Sequence, residues 1–169
     1  MSEIEAIYTV WLREMIRYFR QKERIIGSLV MPTIWLLVFG GAMKPSVSMG
    51  VIDYKSFITP GVIALTILFT SIMSGISVIW DKELGFMKEM LVSPISRISI
   101  VLGKASGTAT AAIIQGTIVI IIALITGFQI NFITFLLAIP VMFLVSLGLV
   151  GIGISIGSLL NNVEGFQLI

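Results

Sequence analysis

The 169 residues are 57% hydrophobic and only 12% charged, and the formal net charge is +2. Soluble domains carry about 25% charged residues, so this composition excludes a cytosolic globular enzyme and predicts a membrane protein. The absence of cysteine and histidine removes disulfides, Cys/His metal sites and histidine acid–base chemistry, and the small net charge gives no indication of nucleic-acid binding.

Residues 2–24 are predicted to form an amphipathic helix. Apolar side chains recur at three- and four-residue spacing from Ile4 to Phe19, with charged residues mostly between them. Ser2, followed by Glu5 three residues later, fits a capping box that would begin the helix. A basic helix with aromatic residues is typical of one lying in the membrane interface. A topogenic charge cluster is the main alternative, and a secretory signal is a less favoured one.

Four apolar segments approach or exceed the roughly 20 residues needed to cross a bilayer. They are residues 25–43, 57–80, 98–126 and 132–160. The third contains Lys104 near its start, and we expect this side chain to extend to the headgroups. The predicted fold is therefore an all-α polytopic membrane protein with an N-terminal amphipathic helix and four membrane-spanning helices.

Small residues mark the helix faces that are expected to pack closely. In the third span they recur at four-residue intervals and include a GxxxG element, and an amide continues the same stripe at membrane depth. A buried amide is costly unless it is bonded, so it is either an interhelical contact, which we favour, or a pathway group. The predicted packing residues are Gly103, Gly107, Ala111 and Gln115 in the third span and Gly153 and Gly157 in the fourth.

The segment Asp81–Arg97, DKELGFMKEMLVSPISR, is a charged island between the second and third spans. Read as a helix, it has an apolar face made by Leu84, Met87 and Leu91. The side chains expected to face away from it are Lys82, Glu83, Lys88 and Glu89. Two interpretations fit this pattern: a helix resting on lipid, and a docking helix that enters a groove of a soluble partner.

The distribution of lysine and arginine predicts the orientation in the membrane. Nine of these residues lie in the N-terminal segment and in the island with its flank, against two between the first two spans. Because cytoplasmic connections carry an excess of positive residues, we predict that the N-terminus and residues 81–97 are cytoplasmic.

The island resembles the cytoplasmic loop of membrane subunits in the ABC-2 type exporter family, which includes drug, polysaccharide and lipid exporters. Two further stretches resemble the family's approaches to its second and third spans. The matching positions are Asp81, Lys82, Glu83, Gly85, Leu91, Pro94 and Arg97 in the island, Tyr54, Phe57, Pro60 and Gly61 before it, and Gly103 and Lys104 after it.

This resemblance implies a permease of the plasma membrane that pairs with a second permease copy, in a homodimer or a heterodimer, and with cassette-type ATPase subunits. The chain would be a transport subunit rather than an enzyme and would bind no cofactor itself, since ATP and Mg²⁺ belong to the partner ATPase. It contains no GxxxxGK[ST] phosphate-binding loop. The residues that would contact the ATPase are Asp81, Lys82, Glu83, Leu84, Gly85, Met87, Leu91, Pro94 and Arg97.

The family usually has six spans, so four predicted spans lead us to expect a C-terminally truncated chain. Two other functions stay open, an ion-coupled secondary transporter and a non-transporting membrane scaffold. An ion-coupled transporter normally has ionisable groups at the membrane midplane, and residues 105–163 contain none. A membrane-embedded enzyme would need clustered acid, base or metal-binding residues, and the carboxylates here are scattered.

Overall fold

The computed structural model describes residues 2–42, 54–93, 95–128 and 130–160. Within these ranges the chain is entirely helical and contains no strand, so the predicted all-α fold is confirmed there. Its six helices are α1 (Glu3–Arg20), α2 (Lys22–Ala42), α3 (Tyr54–Glu83), α4 (Phe86–Val92), α5 (Arg97–Ile125) and α6 (Phe132–Leu159).

Three of the helices are long and apolar enough to cross a membrane. The candidate spans are Phe57–Glu83 in α3, Arg97–Ile125 in α5 and Phe132–Leu159 in α6. They coincide with the second, third and fourth predicted spans. The predicted first span corresponds to α2, whose apolar part within the described residues, Ile25–Val38, is shorter. The count of four spans is therefore not confirmed.

The capping box predicted at the N-terminus is confirmed. The Ser2 hydroxyl accepts a hydrogen bond from the Glu5 backbone N–H, and the Glu5 carboxylate accepts one from the Ser2 backbone N–H. The helix nevertheless ends earlier than residue 24, because Gln21 leaves the helical conformation with φ −88° and ψ 60°. Residues 2–24 thus divide between α1 and the start of α2.

Helix α1 runs beside the first half of α5 and in the same direction. Glu3 accepts a hydrogen bond from the Ser96 hydroxyl over 2.7 Å at the start of α5. Farther along, a Cβ built on Gly103 would come within 2.6 Å of Val10 Cβ. The glycines of α5 leave a groove that receives the α1 backbone, so α1 follows a candidate spanning helix. That α1 lies in the membrane interface stays a prediction.

Helix α1 directs several of its charged side chains toward the rest of the protein. Ala6, Val10 and Met15 are buried, and Arg13 and Arg17 reach an acidic residue of α3. A second apolar stripe is at least 39% exposed and consists of Ile4, Tyr8, Leu12, Ile16 and Phe19. An apolar stripe on the outer side of the helix suits contact with lipid.

Helix α2 continues along the second half of α5. The Gln115 amide donates a hydrogen bond to the Ser28 hydroxyl over 2.7 Å. Leu36 is 3% exposed and packs in one cluster with Val119 and Ala123 near the end of α5. Helices α1 and α2 together therefore accompany α5 from its beginning to its end.

Helices α3 and α6 approach each other closely through glycine. A Cβ built on Gly157 would lie 2.5 Å from the Gly75 carbonyl oxygen, and one built on Gly153 would lie 3.0 Å from the Ser71 carbonyl oxygen. Because these contacts are with backbone atoms, a larger residue could enter only if the two helices moved apart.

Candidate functional site

Five ionisable side chains from three helices meet where α3 ends, and we call them the charged cluster: Arg13, Glu14, Arg17, Asp81 and Lys104. Asp81 lies at the centre and is only 1% exposed. Its Oδ1 atom is 3.3 Å from Arg13 Nη2 and 3.3 Å from Arg17 Nη1. Its Oδ2 atom forms an ion pair with Lys104 Nζ. One carboxylate thus joins α1, α3 and α5.

Lys104 does not extend away from the protein as its position near the start of a span had led us to expect. The residue is 4% exposed, and besides its pair with Asp81 its Nζ lies 3.6 Å from Glu14 Oε1. Two carboxylates inside the helix bundle hold the ammonium group, so it has no need to reach the headgroups. Burying charges is expensive unless they are paired, and here every member of the cluster has an oppositely charged neighbour.

The short helix α4 is attached to the charged cluster through Arg13. The Arg13 guanidinium lies 5.1 Å from the centre of the Phe86 ring, and its Nη1 is 3.6 Å from Met90 Sδ. Arg17 makes a similar contact with the Trp80 ring at 5.8 Å. These cation–π contacts link the charges to the residues on both sides of the α3–α4 turn.

The segment Asp81–Arg97 is not one helix. Helix α3 continues past Trp80 to Glu83, and Gly85 then adopts a left-handed conformation with φ 79°, which glycine accommodates readily and which turns the chain. Helix α4 follows, and Ser96 caps the start of α5 by accepting a hydrogen bond from the Ser99 N–H.

The residues predicted to contact an ATPase do not share one environment. Asp81 is engaged inside the charged cluster, whereas Glu83, Leu84 and Arg97 are exposed and Gly85 forms the turn. Leu84 is 69% exposed and precedes α4, so it is not on the helical face to which the sequence analysis assigned it. The side chains of Met87, Leu91 and Pro94 lie outside the described part of the structure.

Lys82 also has a different orientation from the one expected. We predicted that it faces away from the apolar side of the island, but its Nζ donates hydrogen bonds to the carbonyl oxygens of Gly157, Ser158 and Leu160. The Nζ atom lies 3.2 Å from the carbonyl oxygen of Gly157 and 3.2 Å from that of Leu160. Carbonyls at a helix C-terminus lack helical partners and carry partial negative charge, so a lysine there stabilises the end of α6.

The small-residue stripe of α5 contacts different neighbours along its length. Gly107 faces α1, where an added Cβ would lie 2.7 Å from Glu14 Cβ, and Ala111 is 5% exposed. Gln115 is 2% exposed and accepts a hydrogen bond from the Thr70 hydroxyl of α3 while it donates to α2. The amide thus forms a polar connection among three helices.

Sequence reasoning missed the role of Arg13, Glu14 and Arg17. Arg13 and Arg17 are four residues apart and therefore share one face of α1, which was a visible signal. The same residues were interpreted only as the polar side of a surface helix, because the chain offers no local sign of a carboxylate 64 residues away.

Comparison with known protein families shows the family to which the chain belongs. The profile of the ABC-2 type transporter family matches residues 5–169. The chain belongs to this family. Its members are membrane permease components of transporters rather than enzymes, and the three long apolar helices agree with a multi-pass membrane protein.

Individual members of the ABC-2 family are similar over part of their length. A putative transport permease ycf38 from Pyropia yezoensis is 28% identical over 131 residues, which are 75% of this chain and 44% of the relative. The probable multidrug ABC transporter permease YbhR of Escherichia coli K12 is 38% identical over 115 residues, 67% of this chain and 31% of the relative. Nodulation protein J of Rhizobium leguminosarum bv. viciae is 25% identical over 163 residues, 93% of this chain and 62% of the relative.

The chain therefore spans less than half the length of the first two relatives and less than two thirds of the third. No solved structure shows significant similarity to it.

Proposed function

We propose that the chain is the membrane permease subunit of an ATP-binding cassette exporter, which couples ATP hydrolysis on separate subunits to substrate export. Membership of the ABC-2 family and the names of the relatives support a transport role. The observation that carries the coupling proposal is a short exposed helix, α4, joined by Arg13 to a buried cluster that connects three long helices.

The charged cluster supplies a physical route for coupling. A force applied to α4 acts on Arg13 through Phe86 and Met90, and Arg13 binds Asp81. Asp81 is part of α3 and pairs with Lys104 of α5, so a displacement of α4 is transmitted to two candidate spans at once. Buried ion pairs suit this purpose because separating them exposes unpaired charge and is therefore resisted.

The parts of the 81–97 segment available to an ATPase are Glu83, Leu84, the outer side of α4 and Arg97. On α4 the exposed side chains include Lys88, Glu89 and Val92, and Val92 is 86% exposed. A short helix that exposes both apolar and charged side chains suits insertion into a groove of a soluble partner. In the proposed assembly the N-terminus and α4 are cytoplasmic, a second permease copy completes the membrane unit in the plasma membrane, and ATP and Mg²⁺ are bound by the ATPase.

Co-purification tests the docking surface. The tagged chain is isolated in mild detergent from native membranes, and cassette-type ATPases are identified and quantified by mass spectrometry. Glu83→Lys combined with Glu89→Lys should reduce the recovered ATPase severalfold, because reversing two charges in a docking surface removes its electrostatic complementarity to the partner. Glu23→Lys reverses one charge at an exposed position of α2 and should leave recovery unchanged.

Equal recovery with the double variant and with Glu23→Lys would contradict docking through this segment. Transport in membrane vesicles separates the proposal from an ion-coupled transporter: export should require ATP hydrolysis and should persist when the proton gradient is dissipated. Export that follows the proton gradient without ATP would refute the cassette mechanism. Absence of both ATPase and transport would favour a membrane scaffold.

A further inference from the structure

Lys82 lies in the last turn of α3, one residue after the centre of the charged cluster. Successive residues of an α-helix point roughly 100° apart, so Asp81 and Lys82 face different neighbours. Asp81 pairs with basic residues of α1 and α5, whereas Lys82 donates hydrogen bonds to carbonyl oxygens at the end of α6. One turn of α3 is thus joined to three other helices, just before the left-handed turn at Gly85.

Lys82 extends the glycine contact between α3 and α6 to the end of both helices. It follows Gly75 by seven residues, about two helical turns, and so lies on the same face of α3. Gly75 is the residue whose carbonyl oxygen a Cβ on Gly157 would approach within 2.5 Å. Between these positions Val78 packs in one cluster with Ile154. The hydrogen bonds of Lys82 therefore continue a packed seam rather than bridge a gap.

These hydrogen bonds differ in kind from the glycine contact. Close approach through glycine is van der Waals packing and is not directional, whereas a hydrogen bond requires a particular distance and angle. Three serines of α6 donate their hydroxyl hydrogen bonds within α6, to carbonyl oxygens three or four residues earlier. Lys82 supplies directional bonds between α6 and α3, and such bonds resist sliding and rotation of one helix against the other.

The end of α6 receives its cation from α3. The last turn of α6 contains no basic residue, although carbonyl oxygens at a helix C-terminus lack helical partners and carry partial negative charge. A lysine ammonium has three N–H donors. The oxygens that accept from it are those of Gly157, Ser158 and Leu160. The end of α6 is therefore held from another helix and moves with it.

We propose that Lys82 is a positioning residue of the coupling route, which makes the end of α6 follow the end of α3 when an ATPase displaces the 81–97 segment. Through Asp81 the displacement reaches α3 and α5, and through Lys82 it also reaches α6, so all three candidate spans respond. This coupling role rests on the proposed function, whereas the hold of Lys82 on α6 is measurable without an ATPase.

Hydrogen–deuterium exchange of the isolated full chain in detergent tests the hold on α6. Lys82→Met keeps an unbranched side chain without the ammonium, and amides at residues 156–160 should exchange about fivefold faster, which corresponds to the roughly 1 kcal/mol of a cation at a helix C-terminus. Lys82→Arg keeps charge and donors and should exchange nearly as the wild type does. Lys22→Met makes the same change at an exposed position of α2 and should leave α6 unaffected. Equal exchange in Lys82→Met and wild type would overturn the proposal.

Exchange in the complex with the co-purified ATPase tests the coupling role. Samples without nucleotide are compared with samples containing ATP, Mg²⁺ and vanadate. In the wild type the nucleotide should change exchange both in α4 and at the end of α6. Lys82→Met should recover as much ATPase and keep the change in α4, because Lys82 is not part of the proposed docking surface, but should lose the change in α6. A change in α6 of wild-type size in Lys82→Met would overturn the coupling role.

A second cap separates coupling from simple stabilisation of α6. Leu159 is the last residue of α6 and is 82% exposed, so Leu159→Lys supplies a cation to the helix end from α6 itself. Added to Lys82→Met, it should restore slow exchange at residues 156–160 but not the nucleotide-dependent change. Restoration of both would show that Lys82 only stabilises α6 and would overturn the coupling role.

The two measurements also distinguish failure of this role from failure of the proposed function. If the wild type recovers no ATPase, the proposed function is refuted and the coupling role with it, while exchange in the isolated chain still decides whether Lys82 holds α6. If ATPase is recovered and only the response of α6 is independent of Lys82, the proposed function stands and the coupling role is refuted. Elution volume and helical circular dichroism confirm that each variant is folded.

Discussion

At the scale of single residues, Asp81 is the position on which most contacts converge. It is almost completely buried and has three basic partners, two from α1 and one from α5. The sequence placed it in a charged island, and the family resemblance assigned it to contact with an ATPase. Spacing along the chain could not indicate otherwise, because its partners are 23, 64 and 68 residues away.

Asp81→Asn should lower the free energy of unfolding by about 3–5 kcal/mol, since it leaves buried cations without their carboxylate. The measurement is unfolding in mixed micelles with increasing dodecyl sulfate, followed by circular dichroism. Glu83→Gln is the control: it removes a carboxylate two positions later on the same helix, at an exposed site, and should change stability by no more than about 0.5 kcal/mol. If both variants unfold like the wild type, the ion pairs do not hold the three helices together.

At the scale of helices, the features that the sequence predicted correctly depend on residues close together in the chain. The features that it missed depend on contacts between distant residues. The Ser2–Glu5 capping box and the three long apolar helices are local properties, and they are present. The extension of α3 to Glu83 and the contact of Lys82 with the end of α6 depend on which helices become neighbours. Periodicity identifies an apolar face but not the helix against which that face packs.

The contact between α3 and α6 allows a direct test with two glycines of α6. Gly157→Ala places a methyl group against the Gly75 carbonyl oxygen and should lower the free energy of unfolding by about 1–3 kcal/mol, since the helices must separate. Gly151→Ala meets open space and should be neutral or stabilising by up to about 1 kcal/mol, because alanine favours the helix. Thermal unfolding in detergent compares the two, and equal midpoints would show that α3 and α6 do not require a glycine here.

At the scale of the whole molecule, the path of α1 and α2 bears on how many times the chain crosses the membrane. Glu3 contacts Ser96 at the beginning of α5, and Leu36 packs with Ala123 near its end. A helix pair that accompanies a spanning helix over its whole length has its two ends on opposite sides of the membrane. The apolar part of α2 is short when considered alone, yet α1 and α2 together extend from the beginning of α5 to near its end.

Accordingly, a single cysteine at Ser2 should be labelled from the same side as one at Ser93, and one at Asn131 from the opposite side. The chain has no cysteine, so each variant carries one reactive thiol. An impermeant maleimide applied to intact cells should label Asn131→Cys alone, because the excess of lysine and arginine predicts a cytoplasmic N-terminus and α4. After permeabilisation all three should react. If α1 and α2 did not cross, Ser2→Cys would be labelled together with Asn131→Cys in intact cells, and the contact between Glu3 and Ser96 could not form in the membrane.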